Sequence, residues 1–247
     1  MGTVAELWRH PIKSHGRETL NAVQFTAGDC MPWDRHWAVT HDTTKFDGTG
    51  WAHCRNFMIG SRTPALAGIW AQLDESAGTI TLRHHDIGSV SFDPDGDTSA
   101  FLDWVAPLCP PNRVAPKAIV KADGRGMTDS PFASISIMNR ASHKAVEAAM
   151  GQSLEQERWR ANIWLDGIDA WNELDWMGKT IRVGEAEFEI REPCVRCMHT
   201  AANPVTGHRD ADTLGTLKTS FGHTNFGVYA TVVKSGHVAI GDQAQVL

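Results

Sequence analysis

The sequence predicts a mainly β protein with a few helices. Short runs rich in β-branched and aromatic residues recur along nearly the whole chain. Gly, Asp and Pro punctuate these runs at intervals of about 8–12 residues. Helical periodicity is scarce. Together these features fit a β-barrel or β-sandwich with appended helices.

The elements follow in order. Strands are expected over residues 3–8, 20–26, 36–40, 66–73 and 79–83, where Val, Ile, Thr, Trp and Phe concentrate. Asp93-Pro94-Asp95-Gly96 makes a turn. Residues 98–105 then read as a short helix, with Thr98 or Ser99 as its cap. Residues 107–116 hold four prolines and mark a linker or domain edge. Beyond it, strands are expected over 117–122 and 134–138. A helix over 139–150 follows, with Ala141, Ala145 and Ala149 as helix formers. Further strands are expected over 160–165, 180–183, 187–191, 228–233 and 244–247, the last after a tight turn at 238–242.

Composition narrows the function. The 247 residues are 42% hydrophobic and 21% charged, ordinary for a globular core. A net charge of −6 implies no basic face for nucleic acid, and no Lys/Arg run suggests a polybasic membrane patch. The first residues lack the apolar run of a signal peptide, and no stretch reaches about 18 apolar residues. Gly2 is followed by Glu6 where a myristoylation signal needs Ser or Thr. A soluble, cytoplasmic protein is expected. The five cysteines are few and odd in number, so buried, metal-binding or catalytic thiols are expected rather than a disulfide scaffold. The ten tryptophans are expected to fill cores and pockets.

Chemistry concentrates in the stretch EPCVRCMHT, which holds Cys194 and Cys197. A structural zinc site needs four ligands, and no second pair matches. A thioredoxin-like dithiol needs a βαβ setting, which Asn203-Pro204 interrupts. Both cysteines could also be small buried hydrophobes. Arg196 next to Cys197 favours a thiolate, the form that binds metals. On the pair alone these alternatives stay open.

The longer run PCVRCMHTAANPVTG resembles the signature of the molybdenum cofactor sulfurase C-terminal (MOSC) domain. It is most similar to that of the mitochondrial amidoxime-reducing component and its bacterial relatives. Other segments resemble the same family in the same order: HPIKSHGRE, DRHWAV, RNFMIGSRTPAL, DSPFASISIMNRAS, RWRANIWLDG and the closing FGVYATVVKSGHVAIGDQAQVL.

The resemblance implies two linked modules, an N-terminal β-barrel domain over 1–110 and a MOSC β-barrel over 111–247, with a molybdopterin cofactor in the cleft between them. It implies Cys197 as the molybdenum ligand and Cys194 as a non-ligating neighbour. Lys13, Ser14, Arg35, Arg55, Ser130, Arg160, Asn162, Val195, Arg196 and Tyr229 fall at its cofactor positions. Charged and forked donors suit the phosphate, and a soft thiolate suits the metal.

The family carboxylate position holds Thr128, with Asp129 one residue on, so both are candidates for the proton-handling site. Ala161 replaces a family Pro, and Ile168 a cysteine of the animal enzymes.

The resemblance further implies a reductase of N-hydroxylated small molecules such as amidoximes, hydroxylamines and N-hydroxylated bases. The chain lacks the cysteine set of a plant-type iron–sulfur cluster and a Gly-rich dinucleotide fingerprint. An external electron donor protein is therefore expected. The alternative is a carrier that hands on cofactor or sulfur without turnover of its own.

Overall fold

A computed structural model describes residues 1–121 and 124–247. The first half carries strands β1 (Gly2–Arg9), β2 (Glu18–Leu20), β3 (Ala22–Phe25), β4 (Trp37–His41), β5 (Trp70–Asp74), β6 (Thr79–His84) and β7 (Gly88–Phe92), then helix α1 (Ser99–Val105) and β8 (Pro116–Lys121). The second half carries β9 (Ile135–Asn139), α2 (Arg140–Met150), β10 (Ile163–Asp166), β11 (Thr180–Val183), β12 (Ala186–Val195), α3 (Thr213–Phe221), β13 (Asn225–Lys234), β14 (Gly236–Ala239) and β15 (Gln243–Val246). The strand expected over 117–122 ends, within the described residues, at Lys121. Ala122 lies outside them.

Seven strands close into a barrel in the order β10-β9-β13-β12-β11-β15-β1, and the β1–β10 pairing completes the ring. All its pairings are antiparallel except β9–β10. That parallel pair needs a long crossover, which α2 supplies. Inward positions alternate with outward ones. On β12, Ala186, Phe188 and Ile190 are buried while Glu187 and Glu189 lie between them. Val4, Leu7, Ile135, Ile137, Ile163, Leu165, Ile181, Val183, Val228 and Ala230 complete the interior. The ribbon formed by β3 and β14 adds Val23, Phe25 and Val238 to the same core.

The remaining strands of the first half other than β2 form, with α1, a second hydrophobic centre. β5, β6 and β7 make a three-stranded sheet, and β4 pairs with β8. Ile12, Trp37, Val39, Leu66, Ile80, Leu82, Phe101 and Val105 pack between them. Phe101 of α1 stacks on Phe92 with ring centroids 5.0 Å apart. Four pairings cross residue 110, the boundary the sequence suggests: β1 with β10 and with β15, β3 with β14, and β4 with β8. β1 belongs to the barrel, and β8 belongs with β4.

Some local expectations are corrected. The strand expected over 66–73 begins as a 3-10 turn at Pro64–Gly68, and only Trp70–Asp74 is extended. Pro64 opens that turn, where its fixed φ suits a helical start. The run over 20–26 is broken at Asn21 into two strands with different partners. Before α1, neither Thr98 nor Ser99 caps through its side chain. Instead Asp97 Oδ1 accepts the Ser99 N–H at 2.9 Å.

Candidate functional site

A cleft of about 240 Å³ opens between the barrel and the N-terminal elements. One wall is built from the loop after β1 and from residues 54–61. The other comes from the ends of β9 and β12, the turn before β10, and the loop after Cys197. The structure brings Lys13, Ser14, Arg35, Asp129, Arg160, Val195, Arg196, Cys197 and Tyr229 together on it. Thr128 and Asn162 line an adjoining crevice that shares Arg35, Asp129 and Tyr229 with the cleft.

Three of these residues hold their backbones in the left-handed region. The φ angles are 63° at Ser14, 51° at Arg35 and 51° at Arg160. Side chains with a Cβ pay for this region in strain, and such strain concentrates at ligand sites. All three sit in connections between strands, and all three line the cleft.

The Lys13 Nζ is buried. It donates to the carbonyl of Met127 at 2.7 Å and to Asp129 Oδ1 at 2.5 Å. The Asp129 side chain faces the cleft and is 51% exposed. Partial withdrawal from water would raise its pKa, but Lys13 and then Arg35 hold it well below the usual carboxylate range. It is therefore an anion at neutral pH.

Arg35 is fixed by Asp34. One carboxylate oxygen accepts from the Arg35 guanidinium, and the other accepts the His10 backbone N–H at 2.8 Å. Burial pushes the Asp34 carboxyl up, but Arg35 and His10 outweigh it and hold the group well below its ordinary value. Arg35 also donates to the Arg160 carbonyl at 3.1 Å.

Arg160 makes no ion pair among the described residues and donates to the Gly16 carbonyl at 3.2 Å. Burial, then the neighbouring Arg35 and Arg17, lower its pKa to about 9. Arg17 lies behind it, lowered by burial to about 10, with its Nε unpartnered. Neither guanidinium is paired directly with a carboxylate among the described residues, as a site built for an anion would leave them.

Asn162 organises the strands beneath. Its Oδ1 accepts from Ser136 N at 3.0 Å and from Ser136 Oγ at 2.9 Å, and its Nδ2 donates to the Trp8 carbonyl at 3.3 Å. The Thr128 hydroxyl is spent within its own loop, accepting from Arg125 at 3.0 Å and facing the Phe132 carbonyl at 3.2 Å. Ser130 turns to Glu192, 3.1 Å away, and does not line the cleft. Arg55 is exposed and leans on His53, while its neighbour Cys54 lines the cleft.

Two register shifts in the β12–β13 pairing, between Ile190 and Glu192 and between Pro193 and Val195, lead into the cysteine pair. Such irregularities re-aim side chains near sites. Cys194 is wholly buried, and burial pushes its thiol up to about 12. Val195 is 69% exposed, and Cys197 is exposed on the cleft. The Arg196 guanidinium points back into the protein. It donates to the Trp159 carbonyl at 2.9 Å, grips the Phe226 carbonyl, and lies over both rings. It anchors the thiol loop rather than reaching forward beside Cys197.

The turn that follows is held from inside. Asn203 Oδ1 accepts from Val205 N at 2.7 Å, and its Nδ2 donates to Asp210 at 2.7 Å and to Glu155 at 3.1 Å. Arg158 bridges the same two carboxylates. Arg17 reaches across to the Pro204 carbonyl at 3.2 Å, joining the turn to the N-terminal elements.

The family profile described as "MOSC domain" matches residues 125–245, and that described as "MOSC N-terminal beta barrel domain" matches residues 1–101. The chain belongs to the MOSC-domain proteins. The molybdenum cofactor sulfurase of Drosophila persimilis is 30% identical over 113 residues, 43% of this chain and 14% of that protein. Molybdenum cofactor sulfurase 2 of Culex quinquefasciatus is 34% identical over 80 residues, 32% of this chain and 10% of that protein. The MOSC chain thus spans only about a tenth to a seventh of these relatives' lengths. Among solved structures, the YuaD protein of Bacillus subtilis aligns over 99% of this chain and 94% of its own, with 13% identity and a TM-score of 0.48. YiiM of Geobacillus stearothermophilus aligns over 46% of this chain and 53% of its own, with 18% identity and a TM-score of 0.37.

Several residues that line the MOSC cleft are not among the site residues expected from the sequence. Cys54, Gly60, Ser136, Arg158, Trp159, His199 and Thr200 all line it. His199 was the most legible of these, standing two residues past Cys197. Burial, then Arg160, lower its ring to about 3, so it is neutral. Burial and then Asp129 raise the Cys54 thiol. No helix among the described residues is long and apolar enough to cross a membrane.

Proposed function

We propose that this MOSC protein is a molybdenum-cofactor-dependent oxidoreductase. It would reduce N-hydroxylated compounds such as amidoximes, hydroxylamines and N-hydroxylated bases, using electrons from a separate donor protein. One observation carries the reading: a single cleft presents a half-buried Arg160 guanidinium that makes no ion pair among the described residues beside one exposed thiol, Cys197.

The donor set fits the group. Lys13, Arg35 and Arg160 supply cations for a phosphate. Ser14 and Tyr229 offer hydroxyls to polar ring edges. Cys197 offers the soft ligand that molybdenum takes. When bound, the cofactor supplies the two-electron chemistry, and the protein's share is to hold, orient and tune.

Arg35 is aimed in advance by Asp34, and Asn162 and Ser136 brace its neighbour Arg160. Asp129 is the proton site. An anion that drew Lys13 away would leave its carboxylate with less positive charge and raise its proton affinity. A proton would then be held at Asp129 Oδ1, inside the cleft.

The test is elemental and kinetic. Protein expressed in a host that makes the cofactor should contain one molybdenum and a fluorescent oxidised pterin, and should consume an amidoxime with reduced viologen. Cys197→Ser should abolish turnover. Absence of molybdenum sinks the reading. Cofactor without turnover would instead favour the carrier role.

A further inference from the structure

Six histidines are buried, and five of them have at least one ring nitrogen hydrogen-bonded to the protein. His10 meets Asp34 at 3.3 Å, and His15 Nδ1 meets the Lys13 carbonyl at 2.8 Å, although its Nε2 is sealed from the cleft without a partner. His41 and His84 use Nε2 on the carbonyls of Arg55 and Ala65, at 2.8 and 3.2 Å. His143 holds the Leu154 carbonyl at 3.0 Å and accepts from Trp159 Nε1 at 2.9 Å. The sixth is His199. It is 9% exposed, and among the described residues neither ring nitrogen has a protein partner. Its nitrogens are not among the sealed, unpartnered atoms, so solvent reaches them through the cleft. Buried polar groups left open in this way are rare and usually await something.

The opposite wall is shaped to the ring. A Cβ on Gly60 would land on His199 Nδ1 and Cε1. Gly60 has no positive φ, so its backbone does not require glycine. Its missing side chain instead leaves room for the imidazole. Gly60 and His199 face each other in the same cleft as Cys197.

We infer that His199 is a specificity-determining residue that reads the polar head of the substrate, with Gly60 setting the position of its ring. This rests on the reductase reading above. A neutral imidazole donates one hydrogen bond and accepts another. An N–O–H group with an adjacent NH₂, as in an amidoxime, offers the matching acceptor and donors. The anionic cofactor is served by the charges of Lys13, Arg35 and Arg160.

The experiment uses holoprotein and benzamidoxime as probe. His199→Ala, His199→Gln and Gly60→Ala are compared with wild type. Molybdenum and pterin content, KM and kcat with reduced viologen, and equilibrium binding of benzamidoxime read through tryptophan fluorescence are all measured. His199→Ala should keep the wild-type cofactor content and raise both KM and the dissociation constant about fivefold to tenfold, the loss of roughly one hydrogen bond. Its kcat should change less. His199→Gln, which keeps a donor and an acceptor, should recover most of the loss. Gly60→Ala should mimic His199→Ala by displacing the ring.

Loss of molybdenum or pterin in His199→Ala would make the ring a cofactor ligand and overturn the inference. Unchanged KM and binding would overturn it as well, while wild-type turnover would leave the reductase reading standing. A cofactor-loaded wild type that neither binds nor reduces benzamidoxime would remove both.

Discussion

Asp34→Asn tests whether charge pre-organises the cleft. The Asp34 carboxylate is buried, ion-paired to Arg35, and accepts the His10 N–H at 2.8 Å. Removing one partner of a buried pair costs about 3–5 kcal/mol, because the other charge is left uncompensated. Asparagine keeps an acceptor for His10, and Arg35 keeps the Arg160 carbonyl at 3.1 Å. The lower end, about 3 kcal/mol, is therefore expected. With a urea slope of about 3 kcal/mol per M for a chain of this size, the unfolding midpoint should fall by about 1 M.

The pH dependence has a definite sign. The folded pKa of Asp34 lies below its ordinary value, so the unfolded chain takes up the proton more readily. The carboxylate's contribution is fully present above the ordinary Asp value of about 3.9 and is lost as pH falls from there toward the folded value. The gap between wild type and Asp34→Asn should be full at pH 7 and narrow through pH of about 4 to 3. Urea titrations followed by tryptophan fluorescence would measure both effects. A midpoint shift below about 0.2 M, or a gap that does not narrow with acid, would refute the reasoning.

Other predictions address the thiol loop and its anchors. Without cofactor, iodoacetamide at pH 8 should label exposed Cys197 first and buried Cys194 last, as read by peptide mass mapping, since burial holds the Cys194 thiol at about 12. Comparable rates at the two would contradict the geometry. Arg196→Lys should cost about 2 kcal/mol in denaturant unfolding, because a lysine cannot serve the Trp159 and Phe226 carbonyls together. Gly207→Ala should lower the thermal midpoint by about 6 °C. Its φ is 69°, and the added Cβ would meet Ala65 Cα at 2.9 Å.

The barrel was largely legible because its strands alternate. β11 and β15 appear in the sequence as short runs with apolar residues in every second place, β1 as an apolar-rich run, and the observed bounds of all three lie within a residue of the expected ones. What escaped was set by tertiary context. Helix α3 has the weak sequence TLGTLKTSF, and it stands because Asp212 caps Gly215 N at 3.0 Å and Leu217 packs against the barrel's outer cluster. The extension of β12 past Arg191 depends on register shifts that no periodicity announces. Within the site, the chemistry of Lys13, Arg35, Arg160 and Cys197 was visible in motif order. The left-handed turns at Ser14, Arg35 and Arg160 were not, because all three carry side chains that ordinarily avoid that region. Nor was the direction of Arg196, which only the Trp159 and Phe226 carbonyls decide.

The place of β1 in the ring bears on how the chain can be made and divided. Residues 2–9 are the staves that join β10 to β15, more than 150 residues downstream. As the chain emerges, those staves wait for their neighbours, and the hoop cannot tighten until almost the last strand has been synthesised. A fragment starting at residue 111 would hold six staves and two open edges at β10 and β15, free to pair with other copies. Supplying residues 1–20 as a separate peptide should close the gap and restore solubility.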